Sequence, residues 1–124
     1  MAYLLVGIGG GLGAVGRYAL GQALSPVSQS FPFATLLINF IGALIIGLIT
    51  EFSQRFVPLP PNLLLFLTTG MCGGFTTFST FSLETINLFE KGRIWAGFVY
   101  AAASVVLCAV GVLTGKGLIR LLAR

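Results

Sequence analysis

The sequence holds no histidine and no aspartate, and its only acidic residues are Glu51, Glu84 and Glu90. Without an imidazole or neighbouring carboxylates, no base–nucleophile pair can be assembled. The same scarcity leaves no cluster of side chains suited to hold a metal ion. Cys72 and Cys108 both fall in apolar stretches, at a spacing that fits neither a zinc site nor a disulfide framework. They read as small buried apolar residues. Charged residues of every kind make up 8% of the 124 positions. Soluble domains carry about a quarter, so this chain cannot cover a water-facing surface. An enzyme is not expected.

What the chain has instead is apolar length. Hydrophobic residues make up 56% of it, gathered in runs over Tyr3–Leu24, Phe31–Thr50, Leu63–Leu83 and Ile94–Gly115. Each run is close to the roughly 20 residues that a helix needs to cross a hydrocarbon core of about 30 Å. Spanning strands would be shorter and would alternate apolar with polar residues, which these runs do not. The first run has no positive region before it and no small-residue cleavage site after a short apolar stretch, so it reads as a span. The connections Ser25–Ser30, Glu51–Asn62 and Glu84–Arg93 are brief and punctuated by Pro26, Pro58, Pro60 and Pro61. The expected fold is all-α: one membrane domain over residues 1–124 with four transmembrane helices.

Charge leaves the orientation undecided. Arg55, Lys116, Arg120 and Arg124 share one side of the membrane, and Arg17, Lys91 and Arg93 share the other. Four against three is almost no bias under the rule that sets topology by Lys and Arg in short loops. Insertion both ways up, with an antiparallel homodimer as the product, is the expectation. Glycine is abundant, at 17 residues. Gly7, Gly9, Gly11 and Gly13 give overlapping small-xxx-small spacings in the first span, and Gly97, Ser104 and Gly111 repeat at seven in the fourth; both read as packing seams. Gly11–Gly16 also matches the dinucleotide pattern GxGxxG, but no acidic residue follows about 20 positions later and no soluble βαβ unit surrounds it.

The polar residues inside the runs carry the functional signal. Asn39 sits near the middle of the second span, where an amide is costly unless its donors find partners; its NH₂ group is expected to face a water or ion pathway. The third span reads Gly70-Met71-Cys72-Gly73-Gly74-Phe75-Thr76-Thr77-Phe78-Ser79-Thr80-Phe81-Ser82. Its glycines weaken a helix by about 1 kcal/mol each relative to alanine. A break flanked by Gly73 and Thr76 is expected, with freed carbonyls able to bind a hard cation. On a wheel of about 100° per residue, Thr76, Thr77, Thr80 and Glu84 share one arc beside a stripe of Phe75, Phe78 and Phe81. Hydroxyl donors next to electropositive ring edges suit a small, strongly hydrated anion. Tyr100 and Ser104 add two donors one turn apart in the fourth span. Arg17, inside the first, can supply positive potential to a vestibule.

At these residues the chain resembles the Fluc (CrcB) fluoride channels. The resemblance rests on Gly13-Ala14-Val15-Gly16-Arg17-Tyr18, on Pro32-Phe33-Ala34-Thr35-Leu36-Leu37-Ile38-Asn39 and above all on Gly70–Ser82, in that order along the whole chain. It implies a dual-topology antiparallel homodimer in the cell membrane, with fluoride, a second copy and lipid as partners and no nucleic acid. It implies that Phe78 and Phe81 face the ion, with Asn39 donating nearby. Thr77, Ser79, Thr80, Glu84, Tyr100 and Ser104 would form or border a polar track, and Arg17 a vestibule. The Gly73 and Thr76 carbonyls of both subunits would hold a structural sodium ion. Ala34 stands where the family often has glycine, and Cys108 where a hydroxyl is common.

The function so implied is passive, selective export of fluoride from the cytoplasm, under the general rules of channel selectivity. A proton-coupled multidrug exporter of the same size would need an ionisable carboxylate inside the membrane, and none is expected within the runs. A scaffolding subunit that conducts nothing is the other reading.

Overall fold

The computed structural model describes residues 1–123; Arg124, counted above among the basic residues of one side, lies outside them. Apolar side chains point outward over most of the surface, and four helical stretches are long and apolar enough to cross a membrane: Ala2–Val27, Phe33–Arg55, Pro61–Glu90 and Ile94–Leu122. The chain is therefore a multi-pass membrane protein. The first stretch is α1 (Ala2–Leu24) with a 3₁₀ turn, Ser25–Val27, after it, and the second is α2 (Phe33–Arg55). The third is divided into α3 (Pro61–Leu65), a π-helical segment (Phe66–Cys72), α4 (Gly73–Phe75) and α5 (Phe78–Glu90). The fourth is α6 (Ile94–Leu122).

Every span outruns its apolar stretch. Helical hydrogen bonding continues into the polar interface where hydropathy has ended, so α2 reaches Arg55, α5 reaches Glu90 and α6 reaches Leu122. The extension brings together a charged cluster that the apolar boundaries cut apart. Glu51 is 2% exposed, and its Oε1 accepts from Arg55 Nε at 2.5 Å and from Arg120 Nε at 2.8 Å. A carboxylate in so dry a place stands only with its oxygens bonded, and here it ties the ends of α2 and α6. Between α5 and α6 the chain turns at Gly92, whose φ of 73° is the left-handed conformation that glycine adopts freely. Gly92 N–H donates to Phe89 O and Arg93 N–H to Leu88 O, both at 2.9 Å, the Schellman pairing that closes a helix.

Two helix pairs make up the body. α2 lies along α6, and α1 lies along the π-helical segment and α4. The second pair meets backbone to backbone. A Cβ at Gly9 would stand 2.7 Å from Phe66 O, and one at Gly13 2.7 Å from Phe75 N; Gly70 and Gly74 oppose them across the contact. This is the close approach that small residues permit in membranes, where apolar burial drives little association. Of the four glycines with small-xxx-small spacing, Gly9 and Gly13 lie in the seam, with the Gly10 backbone against Gly74, while a Cβ at Gly7 or Gly11 would meet nothing within 4 Å. In α6, Gly97 and Gly111 are buried with Ser104, as their spacing predicts.

Gly70 and Gly74 of the third span are thus packing residues, whereas a Cβ at Gly73 would meet only Thr68 O of its own helix at 3.8 Å, and the helix passes through all three without an extended residue. It widens first, over Phe66–Cys72, where the Gly73 N–H reaches back to Thr68 O. Beside this segment the Thr68 hydroxyl donates to Leu64 O at 2.7 Å. The break comes later, at Thr76 (ψ 161°) and Thr77 (φ −152°, ψ 119°). The break therefore falls after the segment expected to carry it: Gly73–Phe75 is helical, and the extended residues are threonines.

Replacing Gly13 with valine is expected to lower the stability of the purified protein by about 1–3 kcal/mol through overpacking, read as a drop in its thermal midpoint in detergent. Gly7→Ala, at an open position on the same helix, is expected to leave the midpoint unchanged or slightly raised.

Candidate functional site

A helix interrupted at membrane depth exposes peptide groups that lipid cannot satisfy. At Thr77 a side chain meets that need. The Thr77 N–H donates to Asn39 Oδ1 at 2.8 Å, and Asn39 Nδ2 donates to Thr77 O at 3.0 Å. One amide on α2 closes a two-bond ring on one extended residue. Thr77 then caps α5: its Oγ1 accepts the Thr80 N–H at 3.2 Å and donates to Thr80 Oγ1 at 3.1 Å. This is the usual task of a threonine before the first helical residue. Ser79 Oγ lies 3.3 Å from the same oxygen, on the exposed side.

These bonds decide which carbonyls go free. The Gly73 carbonyl would ordinarily accept from the Thr77 N–H, which Asn39 has taken. The Thr76 carbonyl would ordinarily accept from the Thr80 N–H, which the Thr77 hydroxyl has taken. Two hard oxygens on one turn of broken helix fit an alkali cation. Among the described residues, no group of His, Cys, Asp or Glu side chains could hold a metal ion.

Two cavities meet at Thr77. The first, about 510 Å³, is lined by Asn39, Thr76, Thr77, Phe78, Phe81 and Ser104, with Gly42, Ala43, Ile46, Cys108 and other small or apolar groups below. The Phe78 and Phe81 ring centroids lie 5.4 Å apart at 49°, and Phe78 is 78% exposed in the single chain. Ser104, 6% exposed, has a buried hydroxyl with no partner among the described residues. Buried polar groups are nearly always bonded, so this oxygen is suited to water or an ion in the cavity it lines. Phe75 does not join the other two rings. The break swings it between α1 and α2, where its ring fills the space over Gly16 and Gly42, because a wheel drawn through residues 76 and 77 assumes helix where there is none. For the same reason Thr76 and Thr77 stand outside the helical arc of Thr80 and Glu84.

The second cavity, about 460 Å³, is lined by Arg17, Tyr18, Gln22, Thr35, Thr77, Thr80 and Glu84 among others. Arg17 is half-buried there and forms no ion pair among the described residues. Glu84 is held by hydroxyls: Thr35 Oγ1 donates to its Oε1 at 2.9 Å and Tyr100 OH to its Oε2 at 2.6 Å. Tyr100 is wholly buried, its ring 5.3 Å from that of Phe81 and 5.5 Å from that of Phe31. The Tyr100 hydroxyl is therefore committed to a carboxylate, and Ser104 is the free donor of that pair. Glu51 and Glu84 each stand one residue past the end of an apolar run, on helices that continue beyond it. Thr35 is a site residue that the sequence reading misses, though it sits one helical turn before Asn39, and that i, i+4 spacing is the signal that marks it.

Asn39→Leu would leave the Thr77 N–H without a partner and its carbonyl with only the first intrahelical bond of α5, at about 1–3 kcal/mol for the buried donor. Loss of a defined thermal transition, or a large drop in its midpoint, is expected on heating the purified variant.

The chain is similar to known proteins along nearly its whole length. The family described as CrcB-like protein, Camphor Resistance (CrcB), matches residues 4–116. A protein of Ruminiclostridium cellulolyticum named fluoride-specific ion channel FluC is 47% identical over 119 residues, which cover 95% of this chain and 92% of that one. Proteins of the same name from Rhizobium johnstonii and Granulibacter bethesdensis are 46% and 43% identical, covering 97% and 100% of this chain and 97% and 98% of their own. With its broken third span, its Asn39–Thr77 ring and its paired phenylalanines inside the matched region, this chain belongs to the CrcB-like family.

Proposed function

We propose that the chain is a passive, highly selective fluoride channel that exports fluoride from the cytoplasm across the cell membrane and so protects against fluoride toxicity. The observation that carries this reading is the first cavity: Phe78, Phe81, the unpartnered Ser104 hydroxyl and Asn39 line one space at the helix break. A fluoride ion holds its hydration shell strongly, and a path that strips it must supply donors at each step. Aromatic edges carry the positive end of the ring quadrupole, and Asn39 has a second N–H beyond the one bonded to Thr77. Thr77, Thr80 and Ser79 continue the hydroxyls past the break, and Arg17 raises the local anion concentration in the second cavity. Glu84 and Tyr100 border this track; their mutual bond, with Thr35, holds the wall in one arrangement.

The first cavity is open on one side, and an antiparallel second copy is the occupant that the nearly balanced basic residues favour. A sodium ion held by the Gly73 and Thr76 carbonyls of both copies would supply a fixed positive charge that locks the two helix breaks together. Conduction down the electrochemical gradient calls for no proton relay. Thr35 and Tyr100 donate to the Glu84 oxygens, and Glu51 is paired with arginines.

The deciding experiment is fluoride efflux from liposomes holding the purified protein, with a potassium ionophore clamping the voltage and chloride as control. Rapid fluoride release with negligible chloride release is expected; no release from a folded protein would reject the reading. Replacing Phe78 and Phe81 together with isoleucine keeps the apolar bulk and removes the ring edges. Flux is expected to fall at least about tenfold, the effect of roughly 1.4 kcal/mol on the barrier. Unchanged flux would remove the aromatic rings from the mechanism.

A further inference from the structure

Beyond Glu84 the structure holds a third cavity, about 180 Å³, between the Ser28–Pro32 linker and the end of α5. Its polar lining includes Glu84, Asn87, Lys91 and Arg93, with Ser28, Gln29 and Ser30 from the linker. It shares Ala34 and Glu84 with the Arg17 cavity, as that cavity shares Thr77 with the first. The three follow one another from the helix break at Thr77 to the α5–α6 turn at Lys91 and Arg93. The α5 sequence follows the same line: Thr80, Glu84, Asn87 and Lys91 stand at i, i+4, i+7 and i+11, one polar stripe on one helical face. It is about 16 Å long at 1.5 Å per residue.

An anion moving outward along this stripe meets two unfavourable charges, the Glu84 carboxylate and the negative carbonyl end of α5. Lys91 and Arg93 are the cations placed to offset both. The Schellman turn at Gly92 sets them on either side of one left-handed residue. Arg93 is further fixed by a hydrogen bond from its guanidinium to Ser30 O, while the Lys91 side chain is exposed and makes no bond among the described residues. Neither forms an ion pair there, so both charges are available to a passing anion. Glu90, next in sequence, does not line the cavity.

We infer that Asn87, Lys91 and Arg93 form an outer anion-capture mouth, a site that holds a still-hydrated small anion before or after it passes Glu84. The inference rests on the channel reading above and adds a site to it. Its mark is electrostatic: capture by exposed charge works through a field that salt screens, over about 30 Å at 0.01 M and about 3 Å at 1 M ionic strength. A residue that mattered only for packing would show no such dependence.

The test is fluoride efflux from liposomes at low fluoride, with ionic strength set by an impermeant organic anion, isethionate. Removing one unit charge at about 7 Å in water changes local anion occupancy about threefold. Lys91→Gln is therefore expected to lower flux about threefold at about 0.01 M ionic strength and to match wild type at about 1 M, with the fluoride-to-chloride ratio unchanged. Lys91→Glu should deepen the low-salt loss, and Arg93→Lys, which keeps the charge, should retain most of the flux. An antiparallel dimer carries one such mouth on each face, so the orientation of the protein in the vesicle does not matter. A loss in Lys91→Gln that is equal at both ionic strengths, or no loss at low ionic strength, would overturn the mouth while the wild-type flux leaves the channel standing. No fluoride flux from wild type would overturn both.

Discussion

The two hydrogen bonds between the Asn39 amide and the Thr77 peptide are the condition on which the rest depends. A broken helix in a membrane must find partners for its loose donors and acceptors within the protein. One side chain does this for one residue, and a cascade of reassigned bonds results. Thr77, held extended, caps the next helix; capping takes the Thr80 N–H; and the Gly73 and Thr76 carbonyls are left without their usual helical donors. The polar cavity wall, the free carbonyls and the angle at which Phe78 and Phe81 enter the space all descend from a single amide on a neighbouring helix.

Stiffness and polarity are divided between the two helix pairs. α1 and the first half of the third span touch through backbone and form a rigid block with little polar content. α2 and α6 enclose the hydroxyls and the carboxylate. Glu84 is unusual in having its oxygens met by Thr35 and Tyr100 rather than by a cation. That arrangement keeps a wall in place without cancelling its charge, which is why the nearby arginine and lysine side chains matter to the potential an anion meets.

Much of this was legible in the sequence. Four spans emerge from length and apolar runs, and Asn39 stands out because an amide is so costly in hydrocarbon. The glycines of Gly70–Ser82 announce an interruption of the third span, though the threonines after them are the residues that carry it. What a helical wheel cannot do is survive that interruption. It keeps Phe75 with Phe78 and Phe81, and Thr76 and Thr77 with Glu84, because it carries one phase across residues that are extended. The glycines misled in a related way. Weak helix propensity and close helix packing call for the same residue, and only the position of α1 tells them apart. The Glu51 and Glu84 partners come from distant parts of the chain, and local pattern does not reach them. Hydropathy also ends each span early, since it reports where lipid ends rather than where hydrogen bonding does.

The seam of Gly9 and Gly13 against Gly70 and Gly74 bears on how this protein can change over generations. When a large side chain meets a small one, growth on one face can be balanced by shrinkage on the other. Here both faces already carry the smallest residue there is, so no second-site substitution can restore the fit. Such a contact cannot drift through compensating pairs: it is kept whole, or the two helices separate. Variation is free to accumulate on the lipid-facing side, where Gly7 and Gly11 look onto open space, while the seam itself stays fixed.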